Sequence, residues 1–518
     1  MKLGDLLAGL EYRTTLPSGW REREVLDIAH DSRKVKPGSL FVAVRGFHSD
    51  GHQFISQAIK QGATAIIAER QEGPPVPAGT PLLIVDDSRR ALALLANEFF
   101  GHPSRRLMLI GITGTNGKTT TSYLVKSIIE AAGHTAGLIG TIDYRVGDKV
   151  YPAPNTTPES LELQRLLSEM VRFGASHCVM EVSSHALSLN RIEGCAFAVA
   201  GFTNLTQDHL DFHEGMDAYF QAKLRLFTGL SPEAWAIINS DDARGVEIVR
   251  KTRARVITTG FSELANVRPA GAIRHGINGL MFDAASPAGT IPVESPLVGR
   301  YNVYNILTAI GIGTALGVSA DSIARGLKSM KAVPGRMEKV DEGQPFGVVV
   351  DYAHTEDAIV RLLESVREVT AGRIITVFGC GGDRDRAKRP LMGAAAIKGS
   401  DFVIITSDNP RTEDPMSIIR DIEQGLAERG VKRSAQDVAQ KVVPGKKPYA
   451  VIPGRLEAVA LAVGLAGPGD VVVLAGKGHE DYQLVGEKKI HFDDREVARE
   501  EIRKRLSRES GVGSRKSA

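Results

Sequence analysis

The residues best equipped for chemistry sit in "GITGTNGKTTTSY", Gly111 to Tyr123. A phosphate loop of the common kind reads G-x-x-x-x-G-K-[ST], and Gly117, Lys118 and Thr119 supply its end while Ile112 stands where the first glycine belongs. The strict spacing fails, but the physical parts remain: an apolar run, "LMLIGI", then Gly114 and Gly117 in a tight turn, then a helical pattern. The free N–H groups and dipole at the start of such a helix attract phosphate. Lys118 is placed to reach β- and γ-phosphates, and Thr119 a magnesium ion.

Further polar clusters follow other apolar runs. "MEVSSH" carries Glu181, Ser183, Ser184 and His185, and "NLTQDHLDFH" carries Asp208, His209, Asp211 and His213. Oxygen and imidazole donors near a triphosphate suit magnesium or manganese, although any one of these histidines alone fits a structural hydrogen bond equally well. In "AYFQAKLRLF", Lys223 lies four residues after Tyr219 and four before Phe227, on the apolar stripe of a helix. If buried, its amine would be held neutral and open to modification, for instance by carbon dioxide to a carbamate. A lysine whose stem covers apolar surface while its head reaches water satisfies the same periodicity, and periodicity alone favours that reading.

The elements that must carry these residues are short β-rich runs alternating with helical stretches. Before residue 100 these are "GSLFVAVRG", "ATAIIAE" and "PLLIVDD"; then "LMLIGITG", "CVMEVSS", "AVAGFTNL" and "AWAIINSDD"; and beyond "KAVPGRME", "FGVVVDYAH", "RIITVFGCGG", "DFVIITSDNP" and "DVVVLAGKGHE". Alternation of this kind predicts α/β units with parallel sheets, and in the two later series the polar residues fall at strand carboxyl ends, where open α/β sheets bind ligands. With 518 residues, three domains are expected: 1–102, 103–335 and 336–518. The tail "ESGVGSRKSA" is polar and expected to be unstructured.

Composition excludes several classes. Net charge is +3, from 64 basic and 61 acidic residues, which gives no field to gather nucleic acid. Three cysteines without CxxC spacing indicate neither a disulfide framework nor a zinc site and fit a reducing cytoplasm. The opening "MKLGDLLAGLEYR" has too short an apolar run for a signal peptide, and "AVALAVGLAGPGDVVVLAG" is broken by Gly467, Pro468, Gly469 and Asp470, so it reads as helix, turn and strand rather than a membrane span.

Taken together, "TGTNGKTT", "NTTP", "MEVSSHALSLNR", "NLTQDHLDFH", "YFQAKLRLF", "GRYNVYN", "VPGRME", "DYAHT", "GCGGDRDRAKRP", "DNPR" and "GKGHE" resemble the Mur ligases, from about Asp31 to Asp494. Among these, the resemblance is to the members that extend UDP-N-acetylmuramoyl-L-alanyl-D-glutamate by an amino acid in peptidoglycan precursor synthesis. It implies the three-domain Mur ligase architecture: an N-terminal α/β UDP-binding domain, a central phosphate-loop ATPase domain with a parallel sheet, and a C-terminal Rossmann-like domain. It also implies a cytoplasmic monomer that uses ATP and Mg2+ and forms an amide through an acylphosphate.

By the same resemblance Gly114, Thr115, Asn116, Gly117, Lys118, Thr119 and Thr120 hold ATP phosphates, with Asn302, Arg336 and Asp351 as further nucleotide contacts. Glu181 and His209, with Thr119, bind magnesium, and Lys223 matches a carbamylated lysine that bridges a second ion, which reverses the preference from periodicity. Ser32, Phe47, His48 and Ser49 match the uridine dock, and Asn155, Thr156, Thr157, Ser183 and Arg191 the muramoyl-dipeptide contacts. Leu189 stands where some relatives carry a polar substrate contact, and Glu356 where a proline is common.

For the added amino acid, the resemblance implicates Arg384, Asp408, Asn409, Pro410, Arg411, Gly476 and Glu480. A guanidinium at Arg411 grips a carboxylate with two parallel bonds, which suits the second carboxyl end of meso-diaminopimelate and not lysine. The competing readings are a lysine-adding relative, another amide ligase such as a folylpolyglutamate synthetase, and, from another class, a phosphate-loop ATPase or regulatory module that forms no bond.

Overall fold

The computed structural model describes residues 1–513 apart from 14, 15, 17, 47, 48, 72–75, 78, 277, 278, 331 and 428–447. Three parallel sheets organise the chain, each built from the apolar runs that the sequence alternates with helices. Asp27–Ala29, Ser39–Val42, Ala65–Ala68 and Leu82–Ile84 form the first, a four-stranded sheet in sequential order.

The second sheet has eight strands and is centred on Met108–Thr113, which lies between Val199–Phe202 and His177–Glu181. Outward from Val199–Phe202 come Trp235–Asn239 and Arg255–Thr259; outward from His177–Glu181 comes Ala136–Ile139, then the antiparallel strands Asp143–Val146 and Lys149–Pro152. The chain leaves Met108–Thr113 toward one side and later returns on the other, so the phosphate loop emerges at a topological switch point. Pairing of Ile112 with Glu181 and of Thr113 with Phe202 brings the three strand ends level.

The third sheet runs Glu338–Lys339, Gly347–Asp351, Val471–Ala475, Ile374–Phe378, Phe402–Ile405 and Tyr449–Val451, parallel except for the first edge strand. Helix Arg455–Leu465 followed by strand Val471–Ala475 bears out the reading of the most apolar segment, and no described helix is long and apolar enough to cross a membrane. Two elements differ from the sequence expectations. A three-stranded antiparallel sheet, Arg268–Gly276, Gly279–Ser286 and Gly289–Ser295, packs beside the second sheet. Helix Asp494–Gly513 runs into the polar tail, supported by an Arg505–Glu509 pair one turn apart at 2.8 Å, while residues 514–518 lie outside the described residues.

The helix after the phosphate loop, Lys118–Ala131, is buried under Asn302–Ala315 and Ala320–Ser329. That contact is close enough to require glycine: a Cβ on Gly326 would fall 2.5 Å from Ile128 Cα and 2.8 Å from its nitrogen. Both obstructing atoms are backbone, so neither can swing aside. Gly326→Val is expected to lower the thermal midpoint with a loss of about 1–3 kcal/mol, the usual cost of overpacking; a calorimetric midpoint equal to that of the parent chain would contradict this packing.

Candidate active site

Both loop glycines are needed for contact as well as conformation. A Cβ at Gly114 (φ +149°) would lie 1.9 Å from Thr203 Oγ1, and one at Gly117 (φ +86°) 2.2 Å from Asn305 Oδ1. Gly117 caps the helix Lys118–Ala131 in the left-handed conformation, leaving the first-turn N–H groups of Lys118, Thr119 and Thr120 for an anion. The loop is pinned from the side: Thr115 and Asn116 donate their N–H groups to Asn204 at 2.9 Å each, and Thr115 Oγ1 lies 3.1 Å from the Tyr219 hydroxyl.

Two amines converge on one oxygen. Lys118 Nζ donates to the carbonyls of Gly114 (2.9 Å) and Thr115 (2.8 Å), and Lys223 Nζ donates to the same Gly114 carbonyl at 2.9 Å. Lys223 is 1% exposed, lies 4.4 Å from the centroid of the Tyr219 ring, and has no carboxylate partner among the described residues. Burial, reinforced by the charge of Lys118, holds its pKa well below the ordinary lysine value. The snorkelling expectation is therefore corrected: the stripe points inward to the loop, and the head is buried against the Gly114 carbonyl at the cavity wall instead of reaching out into bulk water. Burial also lowers the pKa of Lys118.

On the other side of the loop Glu181 is 1% exposed and accepts from Thr119 Oγ1 (3.0 Å), Thr141 Oγ1 (3.0 Å) and Thr141 N (2.8 Å). Among the described residues it has no cationic partner, and a buried carboxylate left in that state beside a threonine hydroxyl fits a divalent cation. His209 (φ +55°) lies 3.5 Å from Asp208 by Nε2–Oδ2, and burial pulls its pKa down to about 3, which leaves a neutral imidazole able to ligate. Among the described residues no three His, Cys, Asp or Glu side chains stand ready as a metal cage, so such an ion would complete its shell from phosphate oxygens. His213 takes the structural role instead, with Nε2 3.0 Å from Ser184 Oγ, and the His185 ring stacks on Phe212.

The third sheet closes this cavity of about 360 Å³ from above. Arg336 Nη2 donates to Thr119 Oγ1 at 3.3 Å, and its guanidinium lies over the Tyr352 ring at 4.4 Å. Asp351 accepts from Met337 N (2.7 Å) and Ala353 N (2.8 Å), shaping the strand end, while burial raises its pKa. Asn302, also in the wall, donates to Val298 O at 2.7 Å and accepts from Asn305 at 2.8 Å.

A second cavity, about 1030 Å³, opens alongside. Asn155, Thr156, Ser183 and Arg191 line it from the central sheet, as does the apolar Leu189. Thr157 is buried behind them, donating to Glu181 O at 2.8 Å and accepting from Ser183 N at 3.0 Å, so it braces the wall. Arg191 donates to Thr157 O at 2.9 Å and pairs with Glu159 at 2.6 Å. From the third sheet come Arg384, Asp408, Asn409, Arg411, Gly476 and Glu480. Arg411 (φ +50°) donates Nη1 to Gly382 O at 2.6 Å; Asn409 Nδ2 donates to Glu480 Oε2 at 2.8 Å. Burial, then the charge of Asp408, raises the pKa of Glu480. Pro410 is buried in the turn and is not part of the cavity wall.

The first sheet's candidates stand apart from these walls. Ser32 is buried and donates to Gln57 at 3.2 Å; Ser49 is exposed, and its carbonyl accepts from Gly46 N at 2.9 Å. Phe47 and His48 lie outside the described residues. Two supports escaped the sequence reading, Thr141 on Glu181 and Lys477, whose buried Nζ lies 3.4 Å from Glu480 and 3.5 Å from Asp408. Thr141 follows the strand Ala136–Ile139 and Lys477 follows Val471–Ala475, so the rule of strand carboxyl ends could have found both.

Family models match at residues 25–100 (Mur ligase family, catalytic domain), 112–313 (Mur ligase middle domain) and 335–478 (Mur ligase, glutamate ligase domain). The chain is 47% identical to a UDP-N-acetylmuramoyl-L-alanyl-D-glutamate--2,6-diaminopimelate ligase of Solibacter usitatus, over 97% of this chain and 98% of that protein. Its counterpart in Geobacillus thermodenitrificans is 46% identical over 98% and 100% of the two chains. A solved structure of an enzyme with that activity matches with TM-score 0.68 and 32% identity, covering 98% of this chain and 100% of that one. The MurF ligase of Thermotoga maritima, solved with ADP, shares the fold at TM-score 0.60 and 19% identity, over 93% and 96%. The chain belongs to the Mur ligase family.

Proposed function

We propose that this chain joins meso-2,6-diaminopimelate to the γ-carboxylate of D-glutamate in UDP-N-acetylmuramoyl-L-alanyl-D-glutamate, with ATP converted to ADP and phosphate. One observation carries the reading: the two cavities share walls, including Thr141, Thr156, Ser183, Asp208, His209 and His354. A carboxylate at that junction can receive a phosphoryl group from one side and an amine from the other. Divisions at 1–102, 103–335 and 336–518, action as a monomer, and a cytoplasmic location where nucleotide substrates are made belong to the same proposal.

The chemistry follows from the groups present. A carboxylate resists amines until one oxygen becomes a leaving group. The first-turn N–H groups and Lys118 hold the triphosphate while a glutamate oxygen bonds to the γ-phosphorus and the bond to the β-bridging oxygen breaks, releasing ADP. The amine then adds to the acylphosphate carbonyl, loses a proton, and phosphate leaves. Thr119, Glu181 and His209 would hold magnesium, which supplies positive charge against the phosphate oxygens. The neutral amine of Lys223 would add to carbon dioxide with loss of a proton, giving a carbamate able to hold a second ion.

For the amino acid, Arg411 and Arg384 offer guanidinium groups to the distal carboxylate, and Glu480 with Asp408 offers negative charge to the distal ammonium. Lysine lacks the group that Arg411 would grip. The shared junction likewise argues against an ATPase without an acceptor.

Phosphate release measured with ATP, magnesium and the UDP-linked dipeptide should require diaminopimelate; release with ATP alone, or equal release with lysine, sinks the assignment. Lys223→Ala should abolish nearly all turnover, with partial recovery on adding short carboxylates, and a fully active variant would remove the carbamate. Arg411→Ala should weaken diaminopimelate use by about 2–5 kcal/mol with the KM for ATP little changed, because a desolvated carboxylate loses its charged partner; unchanged diaminopimelate kinetics would refute that contact.

A further inference from the structure

Arg361 and Asp357 have no role in the reading above, yet both stand where the third sheet's helices meet the phosphate loop. They lie one turn apart on the helix Glu356–Val369. Asp357 Oδ2 accepts from Asn116 Nδ2 at 3.0 Å, a bond that spans 241 residues of chain. The same carboxylate accepts from Arg361 Nε at 2.9 and 3.0 Å. Asn116 is itself held to the central sheet: its N–H donates to Asn204 at 2.9 Å and its carbonyl accepts from Thr203 Oγ1 at 2.6 Å. The carboxylate is therefore fixed by the loop, and the guanidinium by the carboxylate.

What Arg361 has left over is its forked end. Nε is committed to Asp357, and neither Nη1 nor Nη2 has an acceptor within hydrogen-bond distance among the described residues. Arg361 lines the loop cavity and also a smaller one of about 320 Å³ beside it; Tyr301 and Tyr304 are walls of both. The free donors thus stand at the junction of the two, away from the first turn of Lys118–Ala131 where phosphates are drawn. An i,i+4 Asp–Arg pair on a solvated helix normally contributes little. Here it is tied to the phosphate loop, which gives it a fixed direction.

We infer that Arg361 is a nucleotide contact supplied by the C-terminal unit, donating to the sugar or base of ATP, and that Asp357 is a positioning residue that aims it from the phosphate loop. Asn116, Asp357 and Arg361 then form one tie from the phosphate end of the nucleotide to its nucleoside end, so that filling the site seats the C-terminal unit on the central one. The inference rests on the ligase reading only in taking ATP as the ligand.

The test is steady-state kinetics with each substrate varied, together with calorimetric binding of ADP to the full chain. Arg361→Ala should raise the KM for ATP and the Kd for ADP about tenfold, the scale of one hydrogen bond from a charged donor. The KM for diaminopimelate and the unliganded thermal midpoint should stay unchanged, and Arg361→Lys should recover part of the loss. Asp357→Asn should give a smaller rise in the same two constants, and the double variant should be no worse than Arg361→Ala. Unaltered ADP binding in Arg361→Ala, a parallel rise in every KM, or multiplicative losses in the double variant would overturn the assignment. Failure of the ligase reading would show differently, as a parent chain that binds ADP but forms no amide, and ADP binding would still judge Arg361.

Discussion

Two lysine amines, that of Lys223 buried and that of Lys118 half-buried, donate to the single carbonyl of Gly114 and set the terms for everything around them. Neither has a carboxylate in hydrogen-bonding reach among the described residues, and the charge of Lys118 adds to burial in lowering the proton affinity of Lys223, so the two amines lack a local anionic partner although Glu181, Asp208, Asp241, Asp242 and Asp351 stand elsewhere in the cavity wall. An arrangement of that kind is costly for a folded chain to maintain, and a polyanion resolves it. Glu181, on the opposite side of the loop, has the reverse deficit: among the described residues, its buried carboxylate is hydrogen-bonded by threonine hydroxyls and a backbone N–H alone. A triphosphate with its cation answers both deficits at once.

Such a site can be built only where several strand ends converge. Met108–Thr113 lies in the middle of its sheet, and its neighbours on either side supply Glu181 and the Thr203–His209 segment at the same level. Glycine is obligatory at the loop because Thr203 and Asn305 occupy the space a side chain would need. The third sheet then presents its own strand ends, Asp351, Asp408 and Gly476, across the opening, so that the two cavities share a wall instead of lying on separate faces.

Much of this was legible in the residues. The alternation of apolar runs with helical stretches foretold parallel α/β sheets, and the rule that ligands gather at strand carboxyl ends picked out Glu181 and His209, while Asp351 and Asp408 came from the resemblance to the Mur ligases. Other features left weaker marks. The antiparallel sheet from Arg268 to Ser295 alternates apolar and polar residues only partly, and its glycines read as loop. Lys223 occupies a periodic position that fits a snorkelling lysine as well as a buried one, because periodicity says which stripe a residue is on and not whether that stripe ends in water. Asp357 and Arg361 look like a solvated helix pair at their spacing, and nothing local reveals that Asn116, 241 residues earlier, holds one end.

The division between the two kinds of knowledge has a physical basis. Local sequence determined the strands, the helix that draws phosphate and the residue types able to do the chemistry, since these depend on patterns within a few turns of chain. Only tertiary structure decided which carboxylates and amines lose their contact with water, which share a partner, and which cavities join. Those outcomes depend on burial and charge summed over segments hundreds of residues apart, and no short stretch of sequence contains that sum.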